Sequence, residues 1–297
     1  MTRPRAAPAA GWLCVLTALA WSTARRVDII AAGPDPDIDA YKHIVFAGRL
    51  TDAWRDVTLH WVWLPLWHIV EAALLRVGAA MDDVRRFSAA CTAASCVALT
   101  EALRHHVADT RRDDTWRDDA RAVLPWASGV AFALWPLNLQ TGASAEPEAF
   151  FQLLLVLFVA CLARGRFTAA GVALTLASLT RYEAWPVVAA LAAWWALGAR
   201  TPRVAAAWAM PAVVVAAWCV VHRAQTGVWG WFLHENGRYV TEAWRTFRLA
   251  ERAPLKVRAA PVWYGVIVPA VALKGATPSL APGAWWLARG RDLRRLA

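Results

Sequence analysis

The feature that most constrains this chain is a succession of apolar runs, each bounded by short segments rich in arginine or in carboxylates. Such runs recur along the whole sequence, which argues against a soluble domain carrying a single anchor. Hydrophobic residues make up 59% of the chain, and the mean hydropathy is +0.35. The sequence therefore predicts an all-α fold, a polytopic transmembrane helix bundle.

The predicted spans have apolar middles and charged ends, and several fall short of the roughly 20 residues that cross a bilayer core. They lie near 6–24, 87–103, 122–139, 147–163, 167–182, 184–199, 204–221 and, less cleanly, 261–288. We expect a single transmembrane domain over residues 1–297 with about eight spans. Because the chain stops on a basic run, as if before another span, we also expect either a truncated C-terminus or an unusually short protein of its kind.

The stretch 61–78 is apolar, but a proline and charged residues interrupt it, and tryptophans crowd its start. Tryptophan prefers the headgroup layer. If this stretch does not cross, the arginine-rich loop 104–121 lies inside, as the positive-inside tendency requires. We therefore predict an outer loop over 25–86 that contains juxtamembrane helices near 39–50 and 61–78.

Charge and cysteine content argue against two other classes of protein. The net charge of +10 arises from arginines placed mainly in short loops between apolar runs, which is the pattern of a membrane protein and not of a nucleic-acid binder. The five cysteines all lie inside apolar runs, without a CxxC motif. They are interpreted as small packing residues and not as metal ligands or disulfide partners.

The loop after the first span carries three carboxylates at alternate positions, Asp35, Asp37 and Asp39. The prolines between them favour an extended backbone. Asp39 stands where a helix can begin, because Asp is a favoured N-cap. The loop is therefore either a solvated turn with a helix cap or a catalytic loop. In the catalytic case a carboxylate takes a proton from an incoming hydroxyl, or two carboxylates hold a divalent cation.

Two arginines on the same predicted side are candidate phosphate ligands. Arg86 opens a span, where its guanidinium either binds phosphate bidentately or snorkels at the interface. Arg181 ends another span. Glu183 follows it two residues later, so the two side chains do not share a helix face and no intrahelical pair is expected.

Two further segments on the same predicted side can each be interpreted in more than one way. Glu148 follows a proline at a predicted helix start, where an acid complements the helix dipole; the role of Glu146 stays open. The segment 232–239, which contains His234, mixes aromatic and hydrogen-bonding side chains. It is either a sugar-binding loop or an amphipathic surface helix.

These residues together resemble the GT-C class of integral-membrane glycosyltransferases. Asp39-Ala40-Tyr41-Lys42-His43 is similar to the Asp-x-Tyr-x-His segment of oligosaccharyltransferases, and its loop is similar to the Asp-Glu-containing loop of protein O-mannosyltransferases and aminoarabinose transferases. Leu64-Pro65-Leu66 matches the Pro-Leu motif that opens their juxtamembrane helix. Arg86-Phe87-Ser88-Ala89 is similar to their Arg-Leu-x-Ser segment, and Leu179-Thr180-Arg181-Tyr182-Glu183 is similar to a segment of uncharacterised bacterial members.

The resemblance covers roughly residues 12–240 and has two departures. The acidic pair is Asp37 and Asp39 with Ile38 between them, whereas the family has an adjacent Asp-Glu. The large C-terminal soluble domain of some members has no counterpart in this sequence. The first departure leaves open which carboxylate acts.

The resemblance implies an inverting glycosyltransferase that moves a sugar from a polyprenyl-phosphate donor to an acceptor, on the outer side of the bacterial inner membrane. Asp39 would be the general base or the ligand of a divalent cation, Mg or Mn, and Asp37 its helper. Arg86 and Arg181 would neutralise the leaving phosphate. The expected partners are the lipid-linked donor and membrane lipid, with no nucleic acid. The other substrate contacts would be Glu183, Tyr41, His43 and His234.

Two other functions remain open at this stage. A transporter or lipid flippase would carry polar residues at mid-membrane depth, whereas the predicted spans are apolar in their middles and polar at one end. A non-catalytic membrane assembly subunit is the third possibility.

Overall fold

The structure is a computed structural model that describes residues 7–35, 37–60, 63–110, 118–198 and 200–246. Within these ranges every regular element is helical, which confirms the predicted all-α class. Short 3₁₀ turns occupy Val57–His60 and Tyr182–Ala184. The α-helices are α1 (Ala7–Ala31), α2 (Ile38–Ala53), α3 (Pro65–Arg76), α4 (Met81–Thr110), α5 (Asp118–Leu134), α6 (Pro136–Thr141), α7 (Glu148–Ala163), α8 (Phe167–Ser178), α9 (Trp185–Leu197), α10 (Pro202–Thr226) and α11 (Trp231–Thr246).

The chain divides into two compact units, Met1–Trp218 and Cys219–Ala297. The boundary falls within α10. The single transmembrane domain with about eight spans stays a prediction, and its last span, 261–288, lies outside the described residues. In the second unit His222 stacks on Trp231 with ring centroids 5.6 Å apart, and Phe232 meets the same imidazole edge-on.

Of the helices in the described ranges, α10 is the one whose length and composition suit a membrane crossing. Shorter apolar helices cover Ala122–Leu134, Glu148–Ala163 and Phe167–Ser178. The run predicted near 122–139 breaks at Trp135, which has an extended backbone (φ −61°, ψ 123°). The cause is Pro136, because a proline disfavours helical geometry in the residue before it and suits the first position of the next helix.

The largest apolar core of the first unit lies among α7, α8, α9 and the first half of α10. Leu154, Phe158, Leu174 and Val188 are buried in it. Helices α8 and α10 approach closely at Gly171, where an added Cβ would lie 2.4 Å from the carbonyl oxygen of Ala206. Small residues at such crossings let two helix backbones pack together.

The predicted outer loop contains a helix pair, α2 against α3. Ala47 and Leu50 of α2 pack on Ala72 of α3. Twelve residues of helix span about 18 Å at 1.5 Å per residue, so α3 is too short to cross a bilayer core of about 30 Å. Its start is tied to the end of α8, because the Leu66 amide donates to the Leu179 carbonyl at 2.9 Å.

Helix α2 begins one residue earlier than the sequence suggested, and its cap differs. Asp37 is the N-cap: its backbone is extended and its carboxylate accepts from the Asp39 amide at 2.9 Å. Asp39 was the expected cap, but it lies inside the first turn. A first-turn acid complements the helix dipole and leaves its carboxylate available for other contacts.

Candidate active site

A buried arginine organises the backbone around the acidic loop. Arg85 of α4 is fully buried; its Nε donates to the Ala143 carbonyl at 2.8 Å and its Nη1 to the Gly33 carbonyl at 2.8 Å. The Ile30 carbonyl also accepts from Nη1, at 3.3 Å. One side chain thus joins the end of α1, the acidic loop and the segment before α7.

Asp35 completes this junction. Its Oδ2 lies 3.8 Å from Arg85 Nε, and both side chains are fully buried. The same carboxylate accepts from the Ala145 amide at 2.8 Å and from the Ser144 hydroxyl at 3.2 Å. The loop that carries the carboxylates is therefore docked against residues 143–145, directly before Glu146.

This docking brings Glu146 to the two carboxylates that the sequence singled out. The pKa of Glu146 rises to about 8, first because the group is buried, and then because it hydrogen-bonds Asp37 and feels the negative charges of Asp37 and Asp39. Arg181 acts in the opposite direction. At pH 7 the Glu146 carboxyl is therefore protonated and donates to Asp37. Glu146, whose role the sequence left open, therefore lies with Asp37 and Asp39.

Arg181 lies at the edge of the same cluster and pairs with two glutamates. Its guanidinium contacts Glu148 in the first turn of α7 and holds Glu183 at 2.9 Å. Burial alone would raise the pKa of Glu183, but the hydrogen bonds and charge of Arg181 outweigh it and hold that pKa below its usual value. The pair with Glu183 forms because Arg181 is extended and a 3₁₀ turn follows, so helix-face spacing does not apply.

Asp39 is half-buried and bound to a lysine. The Lys42 ammonium lies 2.5 Å from Asp39 Oδ1, one helical turn along α2. Among the residues that the structure describes, no group of three or more His, Cys, Asp or Glu side chains is arranged to hold a metal ion. One Asp39 oxygen already lies on an ammonium, which does not suit a resident divalent cation, so we derive no step through a metal at Asp39.

The remaining residues proposed from the sequence have different surroundings. Arg86 is exposed and pairs with Asp83 across one turn of α4 at 2.7 Å. Tyr41 is exposed on α2. His234 is exposed on α11, in the second unit, where the segment 232–239 is helical. His43 is buried on the inner face of α2, one turn after Asp39.

Sequence reasoning missed the buried polar residues of α3 and of the turn Val57–His60. Burial raises the pKa of Glu71 on α3 to about 9, so this carboxyl is neutral at pH 7. His60 and His68 are buried beside His43. The sequence treated His68 and Glu71 only as interruptions of an apolar stretch. Their spacing of three residues on one helix was the available signal that they share a face.

The cluster Asp37–Asp39–Glu146–Arg181, the acid cluster below, combines carboxylates in different protonation states with a cation. It can accept a proton through an ionised carboxylate and can present a positive charge to an anion. The chain matches no protein-family model, no curated protein and no solved structure.

Proposed function

We propose that the protein is a membrane glycosyltransferase that moves a sugar from a polyprenyl-phosphate donor to an acceptor on the extracytoplasmic side. The observation that carries the proposal is the acid cluster. Three segments far apart in the sequence contribute to it: the start of α2, the segment before α7 and the residues after α8. A perturbed carboxyl beside two other carboxylates and an arginine is a frequent mark of a catalytic site.

The exposed apolar surface supports a membrane location. Only 17% of the most apolar window of α10 is buried, whereas the core helix of a soluble protein is mostly buried. Large apolar side chains also face outward on other helices: Leu13 of α1 is 67% exposed and Val159 of α7 is 53% exposed. Apolar surface of this extent marks contact with lipid or with another protein. We propose that α1, α4, α5 and α7 to α10 form a polytopic bundle in the bilayer.

The proposed topology can be tested by cysteine labelling in whole cells. In a cysteine-free background, single cysteines at the exposed positions Asp52 and Gln140 should react with an impermeant thiol reagent. A cysteine at the exposed Ala108, near the end of α4, should react only after the membrane is permeabilised. The reverse labelling pattern would place the acid cluster on the cytoplasmic side and would overturn an extracytoplasmic transfer.

In the proposed reaction a hydroxyl of the acceptor attacks the anomeric carbon of the donor sugar. The bond between that carbon and the phosphate oxygen breaks, and polyprenyl phosphate leaves as an anion, so the leaving group needs no acid. Asp39 takes the hydroxyl proton as general base. Its position in the first turn of α2, half-buried beside Lys42, supports that role because the carboxylate is ordered without being enclosed.

Arg181 is the better placed of the two candidate arginines for the leaving phosphate. The positive charge of Arg181 lowers the pKa of Glu146 within the acid cluster. The Arg86 side chain, in contrast, is 63% exposed beside Asp83. A phosphate would replace one of the glutamates that Arg181 now holds, and its charge grows as the glycosidic bond breaks. Part of the Arg181 interaction is then made only in the transition state, where it lowers the barrier. Arg86 stays the second candidate.

The protonated Glu146 predicts a pH dependence of donor binding. Loss of its proton as the pH rises through about 8 adds a negative charge to the acid cluster and repels the donor phosphate. We expect the KM for donor to rise above pH 8, by at most about tenfold per pH unit. Glu146→Gln, which stays neutral, should show no such rise. An inactive Glu146→Gln variant, with wild-type turnover increasing through pH 8, would instead make Glu146 the base.

The direct test of the proposed function is donor turnover. Purified protein is incubated with a panel of polyprenyl-phosphate sugars and peptide or glycan acceptors, and free polyprenyl phosphate is measured. Release that depends on acceptor supports glycosyl transfer. A transporter or flippase would move the donor across vesicles without releasing polyprenyl phosphate, and an assembly subunit would do neither, so either result would contradict the proposal.

A further inference from the structure

Three buried histidines lie in series, beginning one turn of α2 after Asp39. The distance from His43 Nδ1 to His68 Nε2 is 2.7 Å, and that from His68 Nδ1 to His60 Nδ1 is 2.8 Å. Their relative exposures are 2%, 0% and 4% for His43, His68 and His60. Both distances are those of hydrogen bonds. Three different segments supply the rings: α2, the turn Val57–His60 and α3.

The arrangement is a chain and not a convergent metal site. His68 uses a different ring nitrogen toward each neighbour. A metal ion takes a single nitrogen from each imidazole, so the two contacts cannot describe three ligands of one ion. Within the described part of the protein no metal-binding group of His, Cys, Asp or Glu is found, which agrees with the ring geometry.

His43 and His68 are uncharged at physiological pH. Burial, followed by the charge of Arg181, lowers the pKa of His43 to about 3, although the charge of Asp37 acts in the opposite direction. Burial, then His43 and His60, lowers the pKa of His68 well below its usual value. A neutral imidazole has one N–H and one acceptor nitrogen. The chain therefore has two complete hydrogen-bond arrangements: His43 donates to His68 and His68 to His60, or both bonds are reversed.

One end of this chain faces the acid cluster. His43 follows Asp39 by one turn of α2, and its ring feels the charges of Asp37, Arg181 and Lys42. Surrounding rings hold the imidazoles in place. His60 and His68 are stacked with 9° between their planes, the Trp63 ring lies 4.6 Å from that of His43, and Trp218 meets His60 edge-on.

We propose that His43, His68 and His60 form a proton relay that removes from the acid cluster the proton taken from the acceptor hydroxyl. The relay rests on the proposed function, since transfer generates that proton. In this relay His43 and His68 are positioning residues: they do not touch the substrate, and they act on the reaction by taking the proton from the Asp39 carboxylate. Imidazole is suited to this task because it gives up one proton while accepting another.

The proton balance is simple. The proton on Asp39 passes, through a water molecule, to Nε2 of His43. The Nδ1 proton of His43 moves to Nε2 of His68, the Nδ1 proton of His68 moves to Nδ1 of His60, and the Nε2 proton of His60 leaves to water. Each ring ends neutral with its tautomer reversed, and no bond other than N–H and O–H changes. Reorientation of the rings between turnovers, which restores the starting tautomers, resets the chain.

Histidine tautomers can be observed without any transfer assay. Full-length protein labelled with ¹⁵N-histidine in detergent is studied by NMR, with single His→Gln variants for assignment. We expect both ring nitrogens of His68 to give averaged shifts between those of protonated and unprotonated nitrogen. Asp39→Asn, which removes charge at one end, should shift the balance at His60, at the other end, whereas Asp52→Asn should not. A single fixed tautomer at His68, unchanged by Asp39→Asn, would overturn the relay.

A kinetic experiment tests the same relay. His68→Phe keeps a ring of similar shape and removes both nitrogens. Turnover should fall by tenfold or more with little change in the KM for donor, and the solvent deuterium isotope effect should increase. His222→Phe, at a buried histidine of the second unit, controls for packing and should not change the isotope effect. Unchanged turnover in folded His68→Phe protein would exclude the relay. If the wild type itself shows no transfer, the proposed function fails and the NMR result alone decides.

Discussion

Replacing Arg85 by alanine is expected to lower the free energy of unfolding by about 3–5 kcal/mol, the usual cost of removing one partner of a buried ion pair. The substitution leaves the fully buried Asp35 carboxylate without its cation. It also removes the donors to the carbonyls of Gly33, Ile30 and Ala143. The measurement is thermal or denaturant unfolding of purified protein in detergent micelles.

Arg86 provides the matched control, because it is the next residue on the same helix. Its pair with Asp83 is exposed, and exposed ion pairs contribute little to stability. Arg86→Ala should therefore be almost as stable as the wild type. Arg85→Lys, which keeps the charge but not the donor geometry, should lie between the two. Equal stability of Arg85→Ala and Arg86→Ala would show that the junction of Arg85 with Asp35 does not stabilise the fold.

Replacing Asp39 by asparagine is expected to lower transfer turnover by about 10²–10⁴-fold, the usual contribution of a general base. Asparagine keeps the size of the side chain and removes its basicity. The fold should survive, since the ion pair that is lost, with Lys42, is only half-buried and spans one helical turn. Turnover is measured as acceptor-dependent release of polyprenyl phosphate, with unfolding temperature recorded beside it.

Two variants on the same helix sharpen this result. Asp52→Asn changes an exposed carboxylate at the far end of α2 and should leave turnover unchanged. Asp37→Asn should cost less than Asp39→Asn, because asparagine is as good an N-cap as aspartate and keeps the helix start intact. Full activity in Asp39→Asn, in Asp37→Asn and in the double variant would remove the catalytic role of this loop.

Much of the secondary structure could be predicted from local sequence. The apolar runs near 147–163 and 204–221 correspond to α7 and α10, since helices form where apolar residues recur without a break. The predicted juxtamembrane helices near 39–50 and 61–78 correspond to α2 and α3. Helix ends were less accurate: α8 ends at Ser178 and not near 182, and Arg181 has an extended backbone.

Local sequence did not show which of the adjacent residues Arg85 and Arg86 is buried. Consecutive helical residues are about 100° apart around the axis, so one of two adjacent arginines can be enclosed while the other faces water. The motif favoured Arg86. Burial of Ser88, Thr92 and Ser95, in register with Arg85 at spacings of three and four, shows which face of α4 is covered. That stripe of small polar residues was the signal in the sequence.

The sequence by itself determined the helical class, the short helices near 39–50 and 61–78, and the carboxylates of the acidic loop, because each depends on residues close together in the chain. Tertiary structure alone decided that Glu146 meets Asp37, that Arg181 binds Glu148, and that three histidines lie in series. These contacts join segments separated by 8 to 110 residues, as in the bonds between His60 and His68 and between Asp35 and Ala145. Burial, which shifts the pKa of Glu146 and of His43, arises only when those segments pack together.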